Sequence, residues 1–286
     1  MKIFEEFSLK AYNSYRIEAI CKKAYFPETK EDIRELFHLK NEDLIILGGG
    51  YNVLLTKHYY DKSFVIFSPG HFGSIELIGD SEIVAEAGAD LKLLSEFALE
   101  NCLSGLEIYY DIPSSLGGAV VMNAGAGGED IKALLTKVDY YDPTNDSFEC
   151  IEAANMQFEY RNSYFQNNPK LIILKAYLKL QPGDCMAIQE KMNRTKDNRW
   201  AKQPRDYPNA GSVFKRPPGH FVGPMVEELG LKGFSIGGAK VSEKHAGFIV
   251  NFNNASGQDI LELITYVKAK VKEAFNVELE VEQRII

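Results

Sequence analysis

Hydrophobic and polar residues near the start of the chain alternate first with the period of a helix and then with that of a strand. Residues 29–39 begin with Thr29, carry Asp32 at the capping-box position and place apolar residues on one face, which predicts an amphipathic helix. The apolar run at 43–47 stops at the glycines 48–50 and predicts a buried strand that ends in a glycine loop. The chain therefore begins with a β-α-β-like pattern.

The middle of the chain continues to mix strands and helices. Residues 74–78 and 82–85 flank Gly79-Asp80 and predict a hairpin, after which Asp90 is placed to cap a helix. Residues 171–180 predict another strand. Strands and helices that alternate in this way indicate a mixed fold.

The last hundred residues read as a second unit. Residues 181–184 form a turn pattern, so we place a domain boundary near residue 185. Residues 258–275 carry an apolar stripe with helical spacing, and residues 277–286 alternate apolar and acidic side chains. These patterns predict a core-facing helix followed by a half-buried strand.

The segment 112–130 differs from the rest because it is dense in glycine and other small residues. Such a composition lets a ligand approach the backbone closely, although a tight surface loop has the same composition. The apolar run 119–122 inside it favours burial, and hence the ligand interpretation.

Composition narrows the classes of protein that this chain can represent. At 286 residues, with 45% hydrophobic and 25% charged residues, it matches a globular chain of two or three modules rather than a disordered one. The net charge of −8 disfavours binding to nucleic acid or to anionic membranes. The N-terminus lacks a signal-peptide pattern, and no stretch of about 18 apolar residues occurs, so we expect a cytoplasmic protein.

The four cysteines are widely separated, at Cys21, Cys102, Cys150 and Cys185. None lies at a metal-ligand spacing from another cysteine or a histidine. We expect four buried thiols, with neither a metal site nor a disulfide.

Several common catalytic motifs are absent from the sequence. It contains no P-loop, Rossmann dinucleotide, nucleophile-elbow or zincin motif. Its two glycine-rich loops, at 48–50 and 112–130, can still direct backbone N–H groups at an anion. A cofactor that contains phosphate is therefore plausible in spite of the acidic composition.

Motifs distributed over most of the chain resemble those of the UDP-N-acetylenolpyruvoylglucosamine reductases, the flavoenzymes of peptidoglycan precursor synthesis. They occur in the family's order, at residues 47–55, 105–107, 112–130, 160–163, 210–215 and 241–248, and at Glu282 in the last segment. No insertion of the kind that carries a substrate-clamping tyrosine is visible, so the resemblance is to the shorter subclass of the family.

This resemblance implies an α+β protein with the FAD-binding fold of the vanillyl-alcohol-oxidase (PCMH) type and an additional C-terminal α+β substrate domain. The implied domains are two FAD-binding subdomains at 1–66 and 67–184 and a substrate-binding domain at 185–286. The last strand of that domain would bring Glu282 back to the active site.

The implied reaction is the reduction of UDP-N-acetylglucosamine enolpyruvate to UDP-N-acetylmuramate. FAD is the implied cofactor and NADPH the hydride donor, with no metal and no obligate protein partner. Two alternatives keep part of this interpretation. One is an FAD-dependent oxidase or dehydrogenase of another carbohydrate on the same fold, and the other is a non-catalytic protein that binds a nucleotide sugar or flavin.

The resemblance assigns three catalytic residues, Arg161, Ser212 and Glu282. Arg161 would bind the substrate carboxylate, Ser212 would donate the proton, and Glu282 would assist in holding the intermediate. Taken singly, an arginine beside a tyrosine, a serine in a turn and a glutamate in an acidic row are more often ordinary surface residues. The implied substrate-binding residues are Arg161, Lys202, Lys215 and Arg216. The implied FAD-binding residues are Gly48, Gly49, Gly50, Tyr51, Asn52, Val53, Pro113, Ser114, Ser115, Gly117, Gly118, Asn123 and Gly125.

The sequence departs from the family pattern at several of these positions, among them Ser115, which replaces a threonine. Ser114 replaces a glycine, so the backbone there cannot depend on angles open only to glycine. Tyr51 replaces a small serine, and Arg216 replaces an asparagine of the UDP-sugar site. We expect Arg216 either to take over a diphosphate contact or to alter the substrate.

Overall fold

The structure, a computed structural model, describes residues 1–38, 44–68 and 70–286. The chain divides into two compact units, each assembled from separate segments. The first unit comprises Met1–Phe4, Ala24–Gly49 and Lys62–Asn198, and the second comprises Glu5–Lys23, Gly50–Asp61 and Arg199–Ile286. These bounds differ from the three contiguous domains expected from the sequence, and a functional division into those three parts stays a prediction.

Both units combine strands and helices. The strands are β1 (Lys2–Ser8), β2 (Ile20–Phe26), β3 (Leu44–Leu47), β4 (Val53–Leu54), β5 (Tyr59–Ile66), β6 (Ile75–Ile78), β7 (Glu82–Glu86), β8 (Leu103–Ser104), β9 (Gly125–Ala126), β10 (Glu129–Asp130), β11 (Leu135–Asp142), β12 (Ser147–Glu152), β13 (Ile172–Lys179), β14 (Gln181–Pro182), β15 (Ser235–Ile236), β16 (Ala239–Val241), β17 (Ile249–Asn251) and β18 (Arg284–Ile285). The helices are α1 (Lys30–His38), α2 (Leu91–Glu100), α3 (Leu116–Val121), α4 (Tyr164–Asn167), α5 (Cys185–Lys202), α6 (Val222–Glu228) and α7 (Gly257–Phe275).

An antiparallel sheet of five strands, in the order β12-β11-β13-β7-β6, forms the centre of the first unit. Ala176 at its middle pairs with Val138 on one side and Ala85 on the other, and all three are buried. Because successive side chains of a strand point to opposite faces, these three lie on one face of the sheet. Helix α3 packs against strands β13 and β7 of this sheet. The sheet therefore supports the helix that lies within the second glycine-rich loop.

The elements predicted in the first half of the chain are confirmed. Helix α1 begins with the expected capping box, in which Asp32 N donates to Thr29 Oγ1 at 3.1 Å and Thr29 N donates to Asp32 Oδ2 at 3.2 Å. Strand β3 runs parallel to β5, and β6 and β7 form the expected hairpin. Asp90 caps α2 by accepting from the N–H groups of Lys92 and Leu93. Residues 39 and 43, at the predicted ends of α1 and β3, lie outside the described residues.

A sheet of three antiparallel strands, β15-β16-β17, lies in the core of the second unit, and α7 packs against all three strands. The predicted stripe of α7 is buried from Ile260 to Val271, while Phe275 is half-buried. A capping box between Ser256 and Asp259 starts the helix, and Asn276 in the left-handed conformation (φ 54°) ends it. The helix predicted from periodicity is thus confirmed.

The strand expected over residues 277–286 is wrong in extent. Strand β18 covers Arg284–Ile285, where it pairs in parallel with β4, and an isolated antiparallel bridge joins Val281 to Phe214. The segment changes both partner and direction of pairing along its length, so one continuous ladder cannot form. Leu279 is still buried between exposed glutamates, as the alternation predicted.

The prediction of four buried thiols is also wrong. Cys102 and Cys185 form a disulfide, with Cα atoms 4.7 Å apart, and Cys150 is exposed. Strand β8 begins directly after Cys102, and its partner β14 ends shortly before Cys185. The pairing of these strands brings the two cysteines together across 83 positions of sequence. Only Cys21 is a buried thiol, and burial raises its pKa to about 11.

Candidate active site

The two glycine-rich loops meet in the first unit at the hydroxyl of Ser115. Its Oγ accepts from Gly118 N at 3.3 Å and from Gly49 N at 3.4 Å. A Cβ atom on Gly48 would lie 2.5 Å from the same Oγ, so a side chain there would displace the Ser115 hydroxyl. Backbone N–H groups from both loops thus converge beside a small side chain, an arrangement that fits a bound diphosphate such as that of FAD.

Ser114 differs from Ser115 in how its hydroxyl is used. Its φ is not positive, in agreement with the expectation that this position does not need glycine. Its Oγ donates to the carbonyl of Ser115 at 2.9 Å, and its own carbonyl accepts from Leu91 N at 3.0 Å. A hydroxyl has one proton to donate. The Ser114 proton is therefore engaged within the protein, and Ser115 is the better candidate for a contact to phosphate.

Two other glycines of the second loop lie close against neighbouring residues. A Cβ atom on Gly117 would lie 3.0 Å from Ala87 Cβ, and one on Gly125 would lie 2.1 Å from the carbonyl oxygen of Glu129. The N–H of Gly117 also donates to the Ala87 carbonyl at 2.8 Å. Their predicted contact with FAD stays a prediction, but close packing already requires glycine at Gly125 and leaves little room for a side chain at Gly117.

Asn123 is fully buried and has a positive φ of 45°. Its Nδ2 donates to the carbonyl of Glu159 at 2.9 Å, and its Oδ1 accepts from Lys132 N at 3.3 Å. Both ends of the side chain are therefore occupied within the first unit. The predicted contact between Asn123 and FAD stays a prediction.

Arg161 is held by the same loop. It has a positive φ of 54°, and its Nη1 and Nη2 donate to the carbonyls of Asn123 at 3.3 Å and Gly125 at 2.9 Å. Asp130 lies 3.8 Å from its Nη1, and the guanidinium lies over the ring of Tyr160. The side chain is 19% exposed. Arg161 is thus an oriented cation rather than a freely moving surface arginine.

The part of the first loop that belongs to the second unit begins at Gly50. With φ 69°, Gly50 lies so close to the carbonyl of Tyr12 that a Cβ atom would come within 1.9 Å of the oxygen. Tyr51 is exposed. The Nδ2 of Asn52 donates to the carbonyl of Glu282 at 3.2 Å, and Val53 pairs with Arg284. This part of the loop is therefore fixed to the last residues of the chain.

Ser212 is exposed on a short loop of the second unit. Gly211 before it has φ 77°, and its N–H donates to Asn209 Oδ1 at 3.1 Å. After Ser212, the N–H of Val213 donates to the carbonyl of Gly247 at 3.0 Å. The backbone is thus bonded on both sides of the serine.

The structure brings Glu282 to this loop, because its N–H donates to the carbonyl of Val213 at 2.9 Å. Lys215, in the same part of the second unit, forms an ion pair with Glu280 at 2.6 Å. Arg216 lies over the ring of Phe221, 3.9 Å from its centroid, and Lys202 is exposed at the end of α5. Of the predicted catalytic residues, Ser212 and Glu282 belong to the second unit and Arg161 to the first.

His245 lies in one of the family motifs, but its contacts are those of a turn. Its Nδ1 accepts from Gly247 N at 3.1 Å, and the Oγ of Ser242 accepts from the N–H groups of Lys244 and His245 at 3.2 Å each. Burial lowers the pKa of the imidazole, which favours the neutral ring that this acceptor role requires. Because the carbonyl of Gly247 accepts from Val213 N, this turn supports the loop that carries Ser212.

The sequence interpretation missed Gln283, a buried side chain that contacts the Ser212 loop. Its Nε2 lies 3.1 Å from the carbonyl of Ala210, and its Oε1 lies 3.1 Å from the hydroxyl of Tyr15. The signal was present in the alternation of the last segment, where Gln283 follows Leu279 and Val281 on the apolar positions. A polar residue in an apolar series indicates a buried polar contact.

In residues 1–38, 44–68 and 70–286, no group of three or more His, Cys, Asp or Glu side chains is arranged to hold a metal ion. None of the helices in these same ranges is long and apolar enough to span a bilayer.

Comparison with known proteins gives consistent results over the whole chain. Residues 203–286 match the C-terminal domain of UDP-N-acetylenolpyruvoylglucosamine reductase, and residues 22–150 match an FAD binding domain. Reductases of that name from Caldanaerobacter subterraneus and Francisella tularensis are 40% and 39% identical, over 100% and 99% of this chain and 94% and 99% of their own lengths. The crystal structure of the reductase from Thermus caldophilus superposes with a TM-score of 0.84 at 30% identity and covers 99% of this chain and 98% of that one.

These matches confirm the α+β class and the FAD-binding fold of the vanillyl-alcohol-oxidase type. They also confirm FAD as the cofactor, and NADPH is the reductant that enzymes of this kind use. The expected resemblance holds over the full length rather than in isolated motifs. The chain therefore belongs to the UDP-N-acetylenolpyruvoylglucosamine reductase family, the oxidoreductases of peptidoglycan precursor synthesis.

Proposed function

We propose that this chain reduces UDP-N-acetylglucosamine enolpyruvate to UDP-N-acetylmuramate, with NADPH as the source of electrons. The observation that carries the proposal is the 40% identity to a reductase of this kind across the entire chain. The cytoplasmic location expected from the sequence belongs to the same proposal. So does the expectation that the chain needs no nucleic acid, membrane or obligate protein partner.

FAD, when bound, supplies the hydride for the terminal carbon of the enolpyruvyl ether. In the first unit the residues that would hold it are Gly48, Gly49, Pro113, Ser114, Ser115, Gly117, Gly118, Asn123 and Gly125. In the second unit they are Gly50, Tyr51, Asn52 and Val53. The convergence of Gly49 N and Gly118 N beside the Ser115 hydroxyl supports this assignment, because an acidic protein can then cradle a diphosphate without a cluster of lysines.

Arg161 would bind the carboxylate of the enolpyruvyl group. Its guanidinium is permanently charged and is already oriented by the carbonyls of Asn123 and Gly125. As negative charge spreads onto the substrate carboxylate during the reaction, its attraction to the guanidinium rises. An interaction that strengthens in this way lowers the barrier rather than only binding the substrate.

Ser212 would donate the proton to the carbon next to the one that receives the hydride. Its exposure and its bonded loop support this role, because a proton donor must be accessible and fixed in place. A serine hydroxyl is a weak acid, so it needs a neighbouring group or a proton relay to replace its proton. Glu282, whose backbone is bonded to the residue after Ser212, would assist in stabilising the intermediate.

Lys202, Lys215 and Arg216 would bind the UDP part of the substrate. Lys215 is paired with Glu280 at 2.6 Å, so a diphosphate at this position would compete with an exposed carboxylate. The guanidinium of Arg216 lies over the ring of Phe221, 3.9 Å from its centroid, at a position where the family pattern has a shorter amide. A planar guanidinium can bind a phosphate through two parallel hydrogen bonds.

The experiment that tests the proposal follows the loss of NADPH absorbance with the enolpyruvyl UDP-sugar. We expect one NADPH to be consumed per substrate, with UDP-N-acetylmuramate identified as the product by mass spectrometry. The matched control substrate is UDP-N-acetylglucosamine, which lacks the enolpyruvyl group and should leave NADPH unchanged.

Two results would contradict the proposal. A purified protein that contains FAD but oxidises other carbohydrates, and consumes no NADPH with the enolpyruvyl UDP-sugar, would point to another oxidase or dehydrogenase on this fold. A protein that binds the UDP-sugar without turnover would point to a non-catalytic binding protein.

A further inference from the structure

Gln283 is 4% exposed and lies against the loop that carries Ser212. Its Nε2 is 3.1 Å from the carbonyl oxygen of Ala210 and 3.4 Å from that of Ser212. Carbonyl oxygens only accept hydrogen bonds, so the amide nitrogen rather than the oxygen must face them. The orientation of this amide is therefore set by its neighbours.

The other end of the Gln283 amide is fixed by Tyr15. The Tyr15 hydroxyl donates to Gln283 Oε1 at 3.1 Å, and the ring of Tyr15 is completely buried in the core of the second unit. Burial raises the pKa of this phenol far above its ordinary value, so the hydroxyl keeps its proton. The backbone of Tyr15 is also held, because its carbonyl accepts from Asn251 Nδ2 at 2.8 Å.

The contacts of the Ser212 loop divide into two sets. After the serine, Val213 bonds through its N–H to Gly247 and through its carbonyl to Glu282. At Ala210 and at Ser212 itself, the carbonyls accept from the Gln283 side chain. Gly211 lies between these two carbonyls at φ 77° with nothing within 4 Å of its Cβ position, and its N–H donates to Asn209 Oδ1 at 3.1 Å, so hydrogen bonds rather than side-chain packing hold this turn.

We propose that Gln283 is a positioning residue for Ser212. It joins the buried hydroxyl of Tyr15 to the carbonyls of Ala210 and Ser212 and thereby fixes the direction of the serine side chain. This inference rests on the proposed function, in which Ser212 donates the proton. A donor that moves by about 1 Å can lose on the order of 100-fold in rate, so a tether of this kind has a measurable consequence.

A purely structural role would also lower stability when Gln283 is replaced, because a buried polar group left without a partner costs about 1–3 kcal/mol. The two roles can be separated, since replacing both partners of a buried hydrogen bond by apolar groups is nearly neutral. The double variant Tyr15→Phe/Gln283→Met removes the orphaned hydroxyl along with the tether. The double variant no longer carries the unpaired Tyr15 hydroxyl, but the carbonyls of Ala210 and Ser212 still lack their donor. Stability should therefore return in part in the double variant, while positioning should not return.

The experiment compares Gln283→Met, Tyr15→Phe and the double variant with a matched control, Tyr60→Phe. Tyr60 is buried in the same unit, and its hydroxyl donates to the carbonyl of Ile286 at 2.8 Å rather than to the Ser212 loop. For each protein we would measure the thermal midpoint and the deuterium exchange of the amides at 210–214. Stopped-flow absorbance would give the rates of flavin reduction by NADPH and of reoxidation by the enolpyruvyl UDP-sugar.

In Gln283→Met and in the double variant we expect flavin reduction at the wild-type rate and reoxidation slowed by roughly 10- to 100-fold. Amides 210–214 should exchange faster in both variants. The thermal midpoint should recover in part in the double variant, without recovery of the reoxidation rate. If Gln283→Met does not fold, the double variant can be compared with the wild type in the same two half-reactions. Tyr15→Phe should show a smaller slowing in the same half-reaction, and Tyr60→Phe none.

Reoxidation at the wild-type rate in the double variant, or equal slowing of both half-reactions, would overturn the inference while leaving the proposed function in place. Ser212→Ala is the reference for the proposed function. If that variant reoxidises as fast as the wild type, the proton does not come from Ser212, and both the assigned role of the serine and this inference are wrong.

Discussion

The N–H of Glu282 donates to the carbonyl of Val213 at 2.9 Å, so the last segment of the chain is bonded to the residue that follows Ser212. The next residue, Gln283, contacts the carbonyls of Ala210 and Ser212. Two successive residues near the end of the chain therefore hold the serine loop from both sides. Substitutions in this segment should affect the same chemical step as substitutions in the loop.

Replacing Ser212 by alanine should separate the two half-reactions. The hydroxyl takes no part in flavin reduction by NADPH, so that rate should stay near the wild-type value. Reoxidation by the enolpyruvyl UDP-sugar should slow by at least about 100-fold, or about 2.7 kcal/mol of barrier, as expected for loss of a positioned acid. Stopped-flow flavin absorbance measures both rates. Ser235→Ala, at another exposed serine of the second unit, is the control and should change neither.

Arg161→Lys should fold and bind FAD but lose most of its turnover. Lysine meets the same backbone strain as arginine at φ 54°, so the cost of the conformation cancels between the two proteins. The ammonium keeps the charge but cannot bond two carbonyls and a carboxylate in one plane. Steady-state kinetics should show a fall in kcat of at least about tenfold. A kcat near the wild-type value would show that Arg161 is not part of the site. Arg194→Lys, on α5, is the matched control substitution.

Gly50→Ala should destabilise the second unit far more than Gly219→Ala. Both glycines have similar positive φ angles, 69° and 74°, so the conformational cost of roughly 1–2 kcal/mol is shared. At Gly50 the new Cβ would also lie 1.9 Å from the Tyr12 carbonyl oxygen, whereas nothing lies within 4 Å at Gly219. We expect an additional loss of roughly 1–3 kcal/mol and a lower FAD content at Gly50. Equal thermal midpoints for the two variants would show that the backbone at Gly50 can move away.

Glu107→Gln should destabilise the protein at neutral pH and lose its effect in acid. Burial disfavours ionisation of Glu107, but hydrogen bonds from Ser104 and Gly105 together with the nearby Lys191 outweigh it, so the pKa is lowered. A lowered carboxyl pKa contributes stability that is complete above the unfolded value of about 4.3 and is lost as the pH falls through the folded value.

The difference in unfolding free energy between wild type and Glu107→Gln should therefore be constant from pH 7 down to pH 5 and shrink below about pH 4.3. Urea titrations at several pH values measure it. Glu149→Gln, at an exposed position, is the control and should show little difference at any pH. A difference that grows on acidification would mean that the carboxyl is stabilised in its protonated form.

Labelling of thiols should distinguish the four cysteines. In denaturant without reductant, an alkylating reagent should modify Cys21 and Cys150, and after reduction it should modify Cys102 and Cys185 as well. Native protein should react at Cys150 first, because Cys21 is buried with a raised pKa and the thiolate is the reactive form. Intact mass spectrometry counts the modifications. Four labels before reduction would show that the pair is not bonded in the purified protein.

Features that depend on neighbouring residues could be predicted from the sequence. The apolar stripe of α7 and the capping box at Thr29 and Asp32 are examples, because helical spacing and caps are set within a few residues. The strand over 277–286 could not be predicted in extent, because its partners lie elsewhere in the chain. The bond between Cys102 and Cys185 was missed for the same reason, since it follows from pairing of β8 with β14.

The candidate site shows the same contrast. Motifs were sufficient to single out Ser212 and Arg161, but the positive φ of Arg161 and the two carbonyls that hold it follow from the folded loop. The glycine at position 50 was assigned to FAD, whereas the structure adds a steric requirement from Tyr12 that no local pattern reveals. The alternation of the last segment carries a signal for a buried Gln283, but its partner Tyr15 lies 268 positions away, so their contact could not be recognised without the fold.

The second unit draws on residues near both ends of the chain, which affects the order in which it can form during synthesis. Tyr15 leaves the ribosome 268 residues before Gln283, its hydrogen-bond partner. At translation rates of about 5–20 residues per second, this delay lasts roughly 13–54 s. The first unit has all of its residues once position 198 has been made. Tyr15 and Ile17 pack in a core built mostly from residues after 209, so their side chains have no complete core until the last part of the chain is made.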